Sequence, residues 1–73
     1  MAVPPCGDPD RDFAVMMIAH HEGAVDMARL FIAEARDERL RRLAHEIIIT
    51  QGQEIVVMRD VLTQLDATRC RSR

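Results

Sequence analysis

The sequence predicts an all-α fold, an antiparallel two-helix hairpin that pairs with a second copy into a four-helix bundle. Three observations lead there. Apolar residues recur in steps of three and four along two long segments, with no β-type alternation between them. Each segment opens on a helix-start signal, Asp8-Pro9 and Asp37-Glu38. The break between the segments is short and charged, and a short connection favours antiparallel neighbours.

The first helix is expected over about residues 9–35. Asp8 suits the N-cap, Pro9 the first helical position, and Asp10 and Asp12 complement the positive end of the helix dipole. Phe13, Met17, His20, Ala24, Met27 and Phe31 then form a seam in steps of four and three. Such a seam faces a partner helix.

The turn falls at Arg36-Asp37, and the second helix is expected over about residues 38–67. Asp37 is its N-cap, with Glu38 in the first turn. Its seam runs Leu40, Ala44, Ile47, Gln51, Glu54, Met58, Val61 and Leu65, widened by Leu43, Ile48, Ile55 and Leu62. Each helix is about 40 to 45 Å long at 1.5 Å per residue. Two helices cannot cover so wide a stripe, so a homodimer is expected. Gly23 and Gly52 sit inside helices, either as tolerated defects or as points of close helix approach.

Length and composition exclude other classes. A chain of 73 residues is at most one domain, hence a single hairpin domain over residues 1–73. At that size a lone monomer buries too little surface, and a staple, metal or partner is expected. The net charge of −2 argues against a nucleic-acid partner. No apolar run reaches the roughly 20 residues of a membrane span. Ten basic residues, all Arg, fit a GC-rich, bacterial genome. Residues 1–12 have neither the basic start nor the apolar stretch of a signal peptide.

Chemistry concentrates in Met16-Met17-Ile18-Ala19-His20-His21-Glu22-Gly23-Ala24-Val25-Asp26-Met27. Met16 and His20 are four apart, as are Met17 and His21, so each thioether stands beside an imidazole on a helix. Gln51, Glu54 and Met58 fall on the seam of the second helix. Thioether with imidazole suits a soft ion, chiefly Cu(I); imidazole with Glu54 suits Zn(II) or Cu(II). The competing reading is structural: Met as core filler, and a seam His hydrogen-bonded to Glu54 or Gln51.

The strings MMIAHHEGAVDMA and RLRRLAHEIIITQGQEIVVMRDVL resemble the domain-of-unknown-function 305 family, over roughly residues 12–65. The resemblance implies a ferritin-like helical bundle, often exported, with CopM-type relatives implicated in copper binding and resistance. Carried onto this chain it points to Met16, Met17, His20, His21 and Met27 in the first helix, and to Gln51, Glu54 and Met58 in the second. It implies a non-catalytic copper-binding homodimer with no other cofactor. The alternative is a structural or protein-interaction module whose His, Gln and Glu form a buried polar network. The family habit of export suggests a periplasmic or secreted protein, against the missing signal peptide.

The remaining features carry less. His21-Glu22 begins like a zinc-protease motif but lacks the second His, and no Glu-x-x-His pair exists for a di-iron site. No nucleophile stands near a base, so the chain does not read as an enzyme. His45 reads as a surface residue. Arg36, Arg39, Arg41 and Arg42, interleaved with acids, read as an ion-paired helix end. Cys6 and Cys70 flank the hairpin at ends that meet, which favours a disulfide stabilising by about 4 kcal/mol, against free thiols or bridges between chains.

Overall fold

The computed structural model describes residues 7–68. It contains two helices, α1 (Pro9–Ile32) and α2 (Glu38–Thr68), and no strand among the described residues. They form the expected hairpin. Cys6 and Cys70, with the disulfide expected of them, lie outside the described residues.

Both helix starts follow from side-chain capping. Asp8 sits at φ −90° and ψ 115°, outside the helix, and its carboxylate accepts the Arg11 backbone N–H at 3.1 Å. Pro9 follows in the first turn, where its missing N–H costs nothing. At the second start, Asp37 Oδ1 accepts the backbone N–H groups of Arg39 at 2.9 Å and Leu40 at 3.1 Å. α1 stops three residues short of the expected Ala35. There the N–H groups of Glu34 and Ala35 turn back to the carbonyls of Phe31 and Ile32, a tighter spacing than the α-helix allows. Ala35 is buried in the turn, and its carbonyl accepts a bond from Arg41 Nη2 at 2.8 Å.

The inward face of α1 differs from the expected seam, and that of α2 largely matches it. On α1 the buried residues are Arg11, Ala14, Ile18, Val25 and Ala28, and His21 and Ile32 on the same stripe are half-buried. The expected seam of Phe13, Met17, His20, Ala24, Met27 and Phe31 runs one residue earlier at every step. One residue is about 100° around a helix. That strip therefore flanks the helix contact instead of forming it. On α2, Ala44 is buried and Ile47, Ile48, Gln51, Ile55, Met58, Leu62 and Leu65 are half-buried, while Leu40, Leu43, Glu54 and Val61 are exposed. The physical reason is size. Both α1 stripes have helical spacing, but the one holding Ala14 and Ala28 lets the helices approach, and the one holding Phe and Met does not.

The resulting core is thin. Among the described residues its buried apolar members are Ala14, Ile18, Val25, Ala28, Ala35 and Ala44, and no side chain is completely enclosed. Gly23 and Gly52 face open space, so neither marks a close approach within the hairpin. At the open end, buried Arg11 reaches from the first turn of α1 to Asp66 near the end of α2, Nε to Oδ1 at 2.9 Å. None of the described helices is long and apolar enough to cross a membrane.

Candidate metal centre

His21 lies on the inward stripe of α1, between Ile18 and Val25, with its side chain only 13% exposed. Its Nε2 is 2.8 Å from Glu54 Oε1 on α2. An ionised carboxylate only accepts hydrogen bonds, so in the neutral imidazole Nε2 carries the proton and Nδ1 the lone pair. Nδ1 is buried and has no hydrogen-bond partner. One turn before Glu54, Gln51 Oε1 is likewise buried and unpartnered. Leaving a buried acceptor unsatisfied costs about 1–3 kcal/mol. Each helix thus carries one buried acceptor without a partner.

A groove of about 340 Å³ opens beside this pair, lined by Phe13, Met17, His21, Gln53, Glu54, Val57 and Met58. Four of the residues expected as ligands, Met17, His21, Glu54 and Met58, thus share one groove. The other three do not line it. Met16 is 67% and Met27 71% exposed, and His20 is exposed beside them. The His20 ring is edge-on to that of His21, with centroids 6.3 Å apart and an interplanar angle of 61°. The cause is the one-residue offset: adjacent His20 and His21 point about 100° apart, and only His21 turns toward α2.

The donor set limits the metal. Among the described residues, no group of three or more His, Cys, Asp or Glu side chains is placed to hold an ion. The groove instead offers thioether and imidazole, the softer set. Glu54 is placed to orient His21, since a metal-bound imidazole commonly donates its other N–H to a carboxylate.

Charges around the site are paired. Arg59 of α2 reaches Glu22 of α1, next to His21. At the turn, Arg39 pairs with Asp37 at 2.8 Å and Arg41 with Glu38 at 3.4 Å, as expected for a solvated helix end. Hydrogen bonding to Arg39, reinforced by the Leu40 N–H, holds the Asp37 carboxyl below its usual value. His45 is exposed, away from the groove.

Two features were missed from the sequence. One is the Arg11–Asp66 pair, although Arg11 stands on the same stripe as Ala14 and Ile18. The other is the pair of unsatisfied acceptors, which depends on side-chain rotamers and has no sequence signal.

The family model for Domain of unknown function (DUF305) matches residues 8–72. The chain belongs to this family. The match takes in both helices of the DUF305 hairpin and all the groove residues. Uncharacterized protein L153 of Acanthamoeba polyphaga mimivirus is 34% identical to it over 55 residues, which is 75% of this chain and 36% of the relative. The DUF305 chain thus spans about a third of the length of that curated relative. No solved structure matches it.

Proposed function

We propose that this DUF305 chain is a non-catalytic metal-binding protein that takes up Cu(I) as a homodimer, as a buffer or resistance factor. The observation that carries the reading is His21 Nδ1: a buried nitrogen without a partner, in a ring whose other nitrogen is held by Glu54. Met17 and Met58 line the same groove and supply thioether sulfur. Gln51 Oε1 adds a neutral oxygen one turn away. A soft monovalent ion matches these donors, and a neutral imidazole with neutral thioethers keeps the local charge low. His21, Met17 and Met58 are the proposed ligands. Glu54 positions His21. Met16, His20 and Met27 stand outside the groove of a single chain.

The test is an anaerobic Cu(I) competition titration against a chelator. The Cys6→Ser/Cys70→Ser variant is used, so that thiolates cannot supply the site. Stoichiometric binding is expected, lost in His21→Leu and retained in His20→Leu. Equal binding by both His variants would remove His21 from the site.

A second reading is favoured by the 2.8 Å His21–Glu54 contact itself. It bridges the helices and would serve as a register-fixing polar link in a structural module. On that reading the protein takes up no Cu(I), and His21→Leu is neutral or stabilising, because well-packed apolar groups can replace a buried polar pair without loss.

A further inference from the structure

The hairpin leaves uncovered the face that its largest apolar side chains occupy. On α1 the strip Phe13, Met17, His20, Ala24, Met27, Phe31 contains no charged residue. On α2 the strip at positions 40, 43, 47, 50, 54, 57 and 61 contains one, Glu54, already joined to His21. Phe13 is 60%, Val57 62% and Leu40 51% exposed. Both strips border the groove, since Phe13 and Met17 line it from one helix and Glu54 and Val57 from the other. They therefore form one continuous face. Depletion of charge with enrichment in Met and aromatic residues marks the centre of a protein interface.

The dimensions fit a second copy over this face. The chain exposes 5867 Å². A compact monomer of 8.3 kDa exposes about 4,600 Å². The excess of about 1,300 Å² per chain is in the range an obligate dimer buries per partner. Likewise the radius of gyration is 15.3 Å, against about 11 Å for a compact domain of this length. Among the described residues no side chain is fully enclosed, so the hairpin's core is open on this face. A second copy supplies a matching apolar face of equal length, which is the self-complementarity a two-fold contact requires.

We propose that a second copy of this chain seats on the face marked by Phe13, Met27, Phe31, Leu40, Val57 and Val61. That contact turns the open groove beside His21 into an enclosed cavity roofed by the partner. It also buries the Met16, His20 and Met27 strip that one chain leaves in solvent. The proposal rests on the apolar face and holds with or without metal.

The test is the mass of the full chain by sedimentation equilibrium, with a reductant and a chelator present. Reductant removes bridges between chains, and the chelator separates this result from metal uptake. A dimer is expected at micromolar concentration, with a thermal midpoint that rises with protein concentration. Val57→Glu is expected to weaken association at least 100-fold. Val56→Glu, one residue away on a different face and 67% exposed, is expected to leave the dimer intact. Should Val57→Glu unfold, the concentration-dependent midpoint of the unaltered chain together with an intact Val56→Glu dimer supports the face. A folded wild-type monomer would overturn the proposal, as would a dimer broken by Val56→Glu and not by Val57→Glu, or self-association into larger particles without a dimer.

Discussion

Glu54 Oε1 and His21 Nε2 lie 2.8 Å apart, across the hairpin from one another and 33 positions apart in the chain. This contact decides which nitrogen of His21 is left as a donor to a metal. If Glu54 positions the ring and does not itself bind the ion, Glu54→Leu weakens Cu(I) affinity by about 10–100-fold, the usual cost of losing an orienting partner. His21→Leu abolishes binding. Glu54→Gln, whose amide oxygen can still accept from Nε2–H, retains most of it. Competition titrations of the three variants check the order. Equal loss in Glu54→Gln and His21→Leu would make Glu54 a ligand.

Arg11 and Asp66 clasp the open end of the hairpin at 2.9 Å. The hydrogen bond to Asp66 raises the Arg11 pKa above its ordinary value, so the guanidinium stays charged. Asp66→Leu removes the interhelix bond of a guanidinium that also pairs with Asp12 at 3.5 Å, and is expected to lower the thermal midpoint by roughly 5–10 °C. Adding Arg11→Met should recover part of that loss, because an apolar side chain at this buried position needs no carboxylate from α2. Differential scanning calorimetry of the single and double variants measures the recovery.

The hairpin architecture, both capping aspartates and the ion-paired turn were legible in the sequence, because each depends on residues close together in the chain. The groove was legible in part. Met17, His21, Glu54 and Met58 follow from helical spacing, but Met16, His20 and Met27 do not line the groove. The sequence carries two α1 stripes one residue apart, and both have the spacing of a helix contact. Large side chains drew the inward assignment to Phe13, Met17 and Met27, whereas close helix approach selects Ala14 and Ala28. Spacing alone cannot rank two such stripes; steric size against the facing helix does.

Gly52 lies in the interior of α2, and a Cβ built there meets nothing within 4 Å. Gly52→Ala is therefore expected to stabilise the protein by about 0.5–1 kcal/mol, by reducing the freedom of the unfolded chain. Urea unfolding followed by helical circular dichroism gives the difference. A loss of stability would mean that a second chain approaches this position.

Asp37 links pH to the start of α2. Its folded-state pKa is lowered from the ordinary 3.8, first by Arg39 and then by the Leu40 N–H. A depressed carboxylate contributes stability that is fully present above the unfolded value and lost as pH falls through the folded one. The advantage of the natural chain over Asp37→Asn is therefore expected to be constant above about pH 5. It should shrink as pH falls below 3.8. Urea midpoints at pH 6 and pH 3 report it, and an advantage that grew on acidification would contradict the assignment.

The thioether–imidazole site is tested most directly by copper X-ray absorption on the Cu(I)-loaded Cys6→Ser/Cys70→Ser protein. The expected first shell holds sulfur from Met17 and Met58 together with nitrogen from His21. It should lose its nitrogen in His21→Leu if any copper remains bound. A shell of nitrogen and oxygen alone, or no copper uptake once the cysteines are gone, would contradict it.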